Sequence, residues 1–173
     1  KIMKKLNRKG FTLIELLAVI VILAIIVVVT VPTIISTISD ARVQSLWNLA
    51  GETANSYDTA VAQDLLTPGK SLQGLAATSE WQCISDISKT TGGTTVKLAD
   101  LLGLKENDVV ISGGAVNTTD VKSSTCSAIR LKSTGGAEIF LLAKDGGKFA
   151  ISGKKVYALS TESNGVQADV TNG

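Results

Sequence analysis

KIMKKLNRKG-FTLIELLAVIVILAIIVVVTV, Lys1 to Val31, is the stretch whose reading decides the fold. Its first ten residues carry five cations, Lys1, Lys4, Lys5, Arg8 and Lys9, and end on Gly10. From Phe11 to Val31 the chain is apolar except for Thr12, Glu15 and Thr30. At a rise of ~1.5 Å per residue this run predicts a helix of about 31 Å, enough to cross a bilayer core. Basic residues on its N-terminal flank favour a cytoplasmic N-terminus, with everything after Val31 outside.

Glu15 does not suit a plain anchor. A charge at the centre of a span costs about 2.5–3.5 kcal/mol on insertion scales and less near the end. Two readings stand: a tolerated acid snorkelling to the interface, or a carboxylate that takes a cation the folded monomer lacks. A free amine at Phe11, created by a cut after Gly10, is such a cation. It lies one helical turn away in the same chain, and a neighbouring copy could present it too.

Gly10-Phe11-Thr12-Leu13-Ile14-Glu15, after a short basic leader and before an apolar helix, resembles the N-terminus of a type IV prepilin with its class III signal peptide. The resemblance implies a prepilin peptidase that cuts between Gly10 and Phe11 and N-methylates the new Phe11 amine. It further implies that Glu15 pairs with the Phe11 amine of a neighbouring subunit during filament assembly. Pro32 matches the position where pilin helices commonly bend. The match covers about thirty residues, and beyond it no motif can be carried over residue by residue.

Composition sets the remaining bounds. A length of 173 residues is a prior for one domain plus an anchor. The formal charge of +2 is misleading. From Phe11 onward there are twelve Lys/Arg against fifteen Asp/Glu, so the exported part is mildly acidic. Bulk attraction to nucleic acid or anionic lipid is therefore not expected, although a local basic patch stays open. There is no His, and the only cysteines are Cys83 and Cys126. Outside the cytoplasm a disulfide between them is permitted and would stabilise by about 3–4 kcal/mol on the chain-entropy model; the other reading is two buried free thiols. Pilin disulfides commonly lie near the C-terminus, whereas 47 residues follow Cys126, so that loop's usual account does not carry over. A secretory signal peptide fits less well, because the apolar run exceeds the ~7–15 residues of an h-region and no small-x-small site follows. A start at Met3 would give an eight-residue leader, and a start upstream of Lys1 a longer one.

Beyond the span, Pro32 can begin a new helical stretch and bend the chain. Ile35, Ile38, Leu46, Ala50, Ala54, Tyr57, Val61 and Leu65 then recur at helical spacing between polar residues, and Thr67-Pro68-Gly69 is a stop. The β-branched run Val27–Val31 is a poor helix former in water, so it is expected to lose helical bonds when it leaves lipid for a filament core. Ser71–Ala77 reads as short helix or loop, Trp81–Ile87 as a short apolar–polar segment, Thr90–Thr94 as a loop and Val96–Leu104 as a short helix. A strand is expected at Val109–Ile111, and four short strands at Ala128–Lys132, Glu138–Ala143, Lys148–Ser152 and Lys155–Leu159 are expected to form an antiparallel meander with one face to cover. The tail from Ser160 reads as loosely held.

The expected fold is α+β. A basic leader (1–10) and a transmembrane or filament-core helix (11–31) precede an amphipathic helix (32–67). That helix packs on an antiparallel sheet of about four strands within 68–173, a pilin-like roll. An enzyme is not expected. The four Gly-Gly pairs lack a phosphate-loop frame, and Gly69-Lys70-Ser71 has Asp64 where such a loop needs its first glycine. Without His there is no nucleophilic triad, no structural zinc set, and no metal or cofactor is called for. Glu106-Asn107-Asp108 and Lys154-Lys155 read as solvated turns, Trp47 and Tyr57 as packing residues, and Asn117-Thr118-Thr119 as a formal sequon.

By resemblance the function is that of a pilus subunit whose partners are further copies of itself, the prepilin peptidase, the pilus assembly platform proteins and, before assembly, the membrane. The runner-up is a pseudopilin of a type II secretion system or of a competence DNA-uptake machine. A third reading, of another class, is a single-span protein with an extracellular binding domain that never polymerises.

Overall fold

The computed structural model describes residues 10–66, 75–161 and 166–169. The basic residues of the leader, the Thr67-Pro68-Gly69 stop, Gly69-Lys70-Ser71, most of Ser71–Ala77, and the Asp64 and Leu65 side chains lie outside the described residues. The chain divides into two compact units, Lys1–Ile38 and Ser39–Gly173.

One helix, α1 (Leu13–Leu66), contributes to both units. In the first unit its apolar side chains stand exposed. Leu13, Leu17, Ile22, Ile26 and Val29 are all more than half exposed, and so is Ile35. Pro32 sits inside α1 and does not end it. Its missing N–H leaves the Val28 carbonyl without the usual partner four residues on. Hydroxyls thread the neighbouring turns: Thr30 donates to the Ile26 carbonyl at 3.0 Å, and Ser36 and Thr37 each donate to the Thr33 carbonyl at 2.9 Å. The β-branched run Val27–Val31 is helical in the isolated chain.

In the second unit the buried stripe of α1 is Leu46, Ala50, Thr53, Ala54 and Tyr57. These recur at the three- and four-residue spacing that puts them on one face. The stripe begins later than the sequence suggested, since Ile35 and Ile38 are exposed and Val43 is only half-buried. The helix residues share one core with Ile129, Ile139, Leu141, Val156 and Ala158, all from a five-stranded antiparallel sheet. Its strands are β1 (Gln82–Cys83), β4 (Ala128–Leu131), β5 (Ala137–Leu142), β6 (Lys155–Leu159) and β7 (Val166–Asp169), in the order β1-β4-β5-β6-β7. A separate hairpin pairs β2 (Ser88–Thr91) with β3 (Thr94–Lys97), and a short α2 (Leu98–Leu101) follows it.

The α+β arrangement is as the periodicity predicts: a long N-terminal helix on an antiparallel sheet. Several details differ. The Thr90–Thr94 loop is the turn of a hairpin, with Gly92 and Gly93 at positive φ. Val109–Ile111 is not a strand: Val109 forms a single bridge to Ala143, while the Val110 amide donates to the Leu142 carbonyl and the Val110 carbonyl accepts from the Ser127 amide. Lys148–Ser152 is turn, because β5 pairs directly with β6 and the segment between them curls under its own bonds, Ala150 to Gly147 and Lys154 to Ile151. The tail from Ser160 is not all loosely held, since Val166–Asp169 adds a strand to β6.

The sheet also has two covered faces, not one. Every residue of β5 is buried. Ile139 and Leu141 point to the helix side, whereas Phe140 and Leu142 join Trp81, Val121, Ala128, Tyr157 and Leu159 in a second core. A strand buried on both sides needs a continuous apolar run, and Ile139-Phe140-Leu141-Leu142 supplies one. Phe140 and Tyr157 pack with ring centroids 5.5 Å apart. At the sheet's edge of that core, Arg130 binds Glu138 at 2.7 Å while lying over the Trp81 ring.

Candidate functional site at the start of the long helix

Gly10, Phe11 and Thr12 precede α1 in non-helical backbone, and Phe11 is 90% exposed. Gly10 is equally bare: a Cβ built there would meet nothing within 4 Å, and its φ is not in the left-handed region. Among the described residues nothing requires glycine at position 10.

The next turn is a capping box. Thr12 occupies the N-cap position and Glu15 the third helical position. The Thr12 amide donates to Glu15 Oε2 at 2.9 Å and the Thr12 hydroxyl donates to the same oxygen at 2.8 Å. The Glu15 amide in turn approaches Thr12 Oγ1 at 3.3 Å, and the Leu16 amide reaches the Thr12 carbonyl at 3.3 Å. First-turn amides that have no intrahelical acceptor thereby find partners, and a negative charge stands at the positive end of the helix dipole. Glu15 is consequently not the unpartnered acid its position in the apolar run suggested. The residue missed in the sequence is Thr12. Its signal was present as Thr12-x-x-Glu15 directly before an apolar run, a pattern that identifies a helix start.

Gly10, Phe11 and Glu15 thus fall within one short exposed segment, with Thr12 holding the carboxylate of Glu15. Pro32 lies far along the same helix, and the two cysteines belong to the other unit. Cys83 and Cys126 are disulfide-bonded, their Cα atoms 5.8 Å apart. The bond ties β1 to the segment entering β4, two strands that also pair at Cys83↔Ala128. Beside it Gly114 is packed so closely that a Cβ would come within 2.3 Å of the Thr125 carbonyl oxygen. Asn117, the sequon residue, is held within the same region: its Oδ1 accepts from the Thr119 and Asp120 amides and its Nδ2 donates to Ser123.

Residues 5–31 match the family model described as the prokaryotic N-terminal methylation motif. No curated protein and no solved structure matches the chain. The matched span contains Gly10, Phe11, Thr12 and Glu15 together with the exposed apolar helix that follows them. The motif marks a structural, non-enzymatic class, and its signal-peptide-like apolar helix suits insertion of a precursor into a membrane. The N-terminus of this chain is that of a type IV pilin-like or pseudopilin-like precursor, with a class III signal peptide.

Proposed function

We propose that the chain is the structural subunit of a type IV pilus, processed after Gly10 and polymerised through α1, supporting adhesion, motility or surface interaction. The observation that carries the reading is the exposed apolar half of α1, which follows a bare Gly10–Phe11 bond and is exposed along its length. About 30 Å of apolar helix must be buried in something, and lipid and other copies of the same helix are the two media that suit it. The precursor sits in the cytoplasmic membrane with its N-terminus inside. Cleavage after Gly10 by a prepilin peptidase frees the Phe11 amine, which is then N-methylated. Assembly platform proteins draw the subunit from the membrane, and the apolar helices of many copies form the filament core. The finished filament is extracellular.

In this scheme Glu15 accepts the Phe11 amine of a neighbouring copy, so that two charges enter the apolar core as a pair. Thr12 presents the carboxylate already oriented. N-terminal mass spectrometry of the membrane-derived protein is the decisive measurement: a mature chain beginning at methylated Phe11 is expected, and an intact leader would refute processing. Glu15→Ala should leave cleavage intact and cut filament yield, and wild-type yield would remove Glu15 from assembly. Surface filaments seen by microscopy, as against lost secretion or transformation on deletion, separate a pilus subunit from a pseudopilin.

A further inference from the structure

The exported part of the chain is acidic overall, yet its cations are unevenly placed. Between Leu141 and Thr161 there are four lysines, Lys144, Lys148, Lys154 and Lys155, against one acid, Asp145. The same loop region forms one wall of a cleft of about 950 Å³, whose other wall includes Arg42 of α1. Arg42 is fixed there: Nη1 donates to the Ala150 carbonyl at 2.6 Å across 108 positions of sequence. One arm of the guanidinium is used by the fold, and among the described residues the other N–H groups of the planar fork have no hydrogen-bond partner. Lys155 is fixed too, its ammonium donating to the carbonyls of Lys122 and Ser124, both at 2.8 Å. It contributes a stationary positive charge to the wall.

Between these two anchored cations runs the turn Ile151–Lys154, closed by the Lys154 amide on the Ile151 carbonyl at 3.1 Å. Gly153 takes a φ of +72°, the left-handed conformation that turns successive amides of a tight turn toward one side. Ser152, Gly153 and Lys154 all line the cleft, and the Ser152 and Gly153 amides have no protein partner among the described residues. A guanidinium fork, an exposed lysine and turn amides on separate segments make a donor-rich pocket with a single opposing acid.

We propose that this cleft binds a tetrahedral oxyanion: a phosphate group, carried singly or along a polyanionic chain. Arg42 and Lys154 supply charge-assisted hydrogen bonds, the turn amides supply neutral ones, and Asp145 restrains the affinity. The proposal stands whether or not the chain polymerises, because every group named lies in the second unit. The test is calorimetric titration of the detergent-solubilised full chain with inorganic phosphate and, separately, with linear polyphosphate, at fixed ionic strength. Saturable binding of either probe is expected. Lys154→Gln, at a solvent-exposed site, should weaken it about tenfold, since a hydrogen bond to a charged group is lost. Arg42→Lys should weaken it as well by removing the fork, and Asp145→Asn should tighten it. Binding of both probes identifies a single-phosphate site, and binding of polyphosphate alone a chain-tracking one. Saturation by neither probe, or affinities unchanged in both Lys154→Gln and Asp145→Asn, overturns the proposal.

Discussion

At the first turn of α1 the Glu15 carboxylate is held by two groups of Thr12, one of which is a side chain that can be removed without touching the backbone. Thr12→Val keeps the amide bond to Oε2 and deletes the hydroxyl bond. The first turn should then fray by about 1 kcal/mol, the usual worth of an N-cap side chain. Hydrogen exchange of the Glu15 and Leu16 amides in detergent would read this as a several-fold loss of protection, and unchanged exchange would deny the cap any role. A second residue-scale prediction concerns Tyr57, whose phenol oxygen accepts the buried Ala77 amide at 2.8 Å. Tyr57→Phe strands that amide and should cost about 1–3 kcal/mol in thermal or denaturant unfolding. Burial pushes the Tyr57 phenol above its ordinary value of 10.0, and the nearby Asp58 carboxylate pushes the same way, while the Ala77 amide partly opposes them. The folded state thus favours the neutral phenol. Its contribution is whole below about pH 10 and is lost as the pH rises through the folded value. Alkaline unfolding should accordingly be blunted in Tyr57→Phe relative to its own neutral-pH stability.

Among the elements, what could be read in the sequence follows from how each one buries itself. β5 and β6 were legible because apolar runs such as Ile139–Leu142 and Val156–Leu159 are bounded by glycine turns. Lys148–Ser152 was misread because Phe149, Ala150 and Ile151 resemble half a strand, yet Phe149 is buried as a plug beneath a turn. β7 was hidden because Val166–Asp169 is only four residues long and lies in a polar tail, and its pairing with β6 is made by backbone that no side-chain pattern reports. The helix start is legible in Thr12-x-x-Glu15, where the same carboxylate that is costly in an apolar run caps the first turn. The covalent element is easier to weigh. A disulfide closing a 43-residue separation is worth about 4 kcal/mol on the chain-entropy model. Cys83→Ser/Cys126→Ser should lower the unfolding midpoint accordingly, and reduction of the wild type should reproduce that shift. An unchanged midpoint would show that the paired strands β1 and β4 hold without it.

For the whole molecule, the division after Ile38 separates a helix with no core from a domain with two. Residues Ser39–Gly173 contain both cores and the disulfide, while the large exposed apolar side chains are concentrated before Ser39. A chain lacking residues 1–38 should be monomeric in detergent-free buffer by size exclusion and show a cooperative unfolding transition. The full chain should require detergent or assemble. Aggregation of the truncated chain would refute the independence of residues 39–173 as a folded unit. The motif match, residues 5–31, lies wholly within the first unit.

The bond between Cys83 and Cys126 has a mechanical consequence as well. In the proposed filament, a subunit under tension lengthens by releasing folded chain as extended backbone. At ~3.4 Å per residue, the 43-residue separation bridged by this bond withholds roughly 145 Å of contour from each copy. Reduced filaments pulled in a force spectrometer would release that length in addition to whatever oxidised ones release. The staple at the edge of the sheet would then set how far each subunit can stretch before the fibre itself must bear the load.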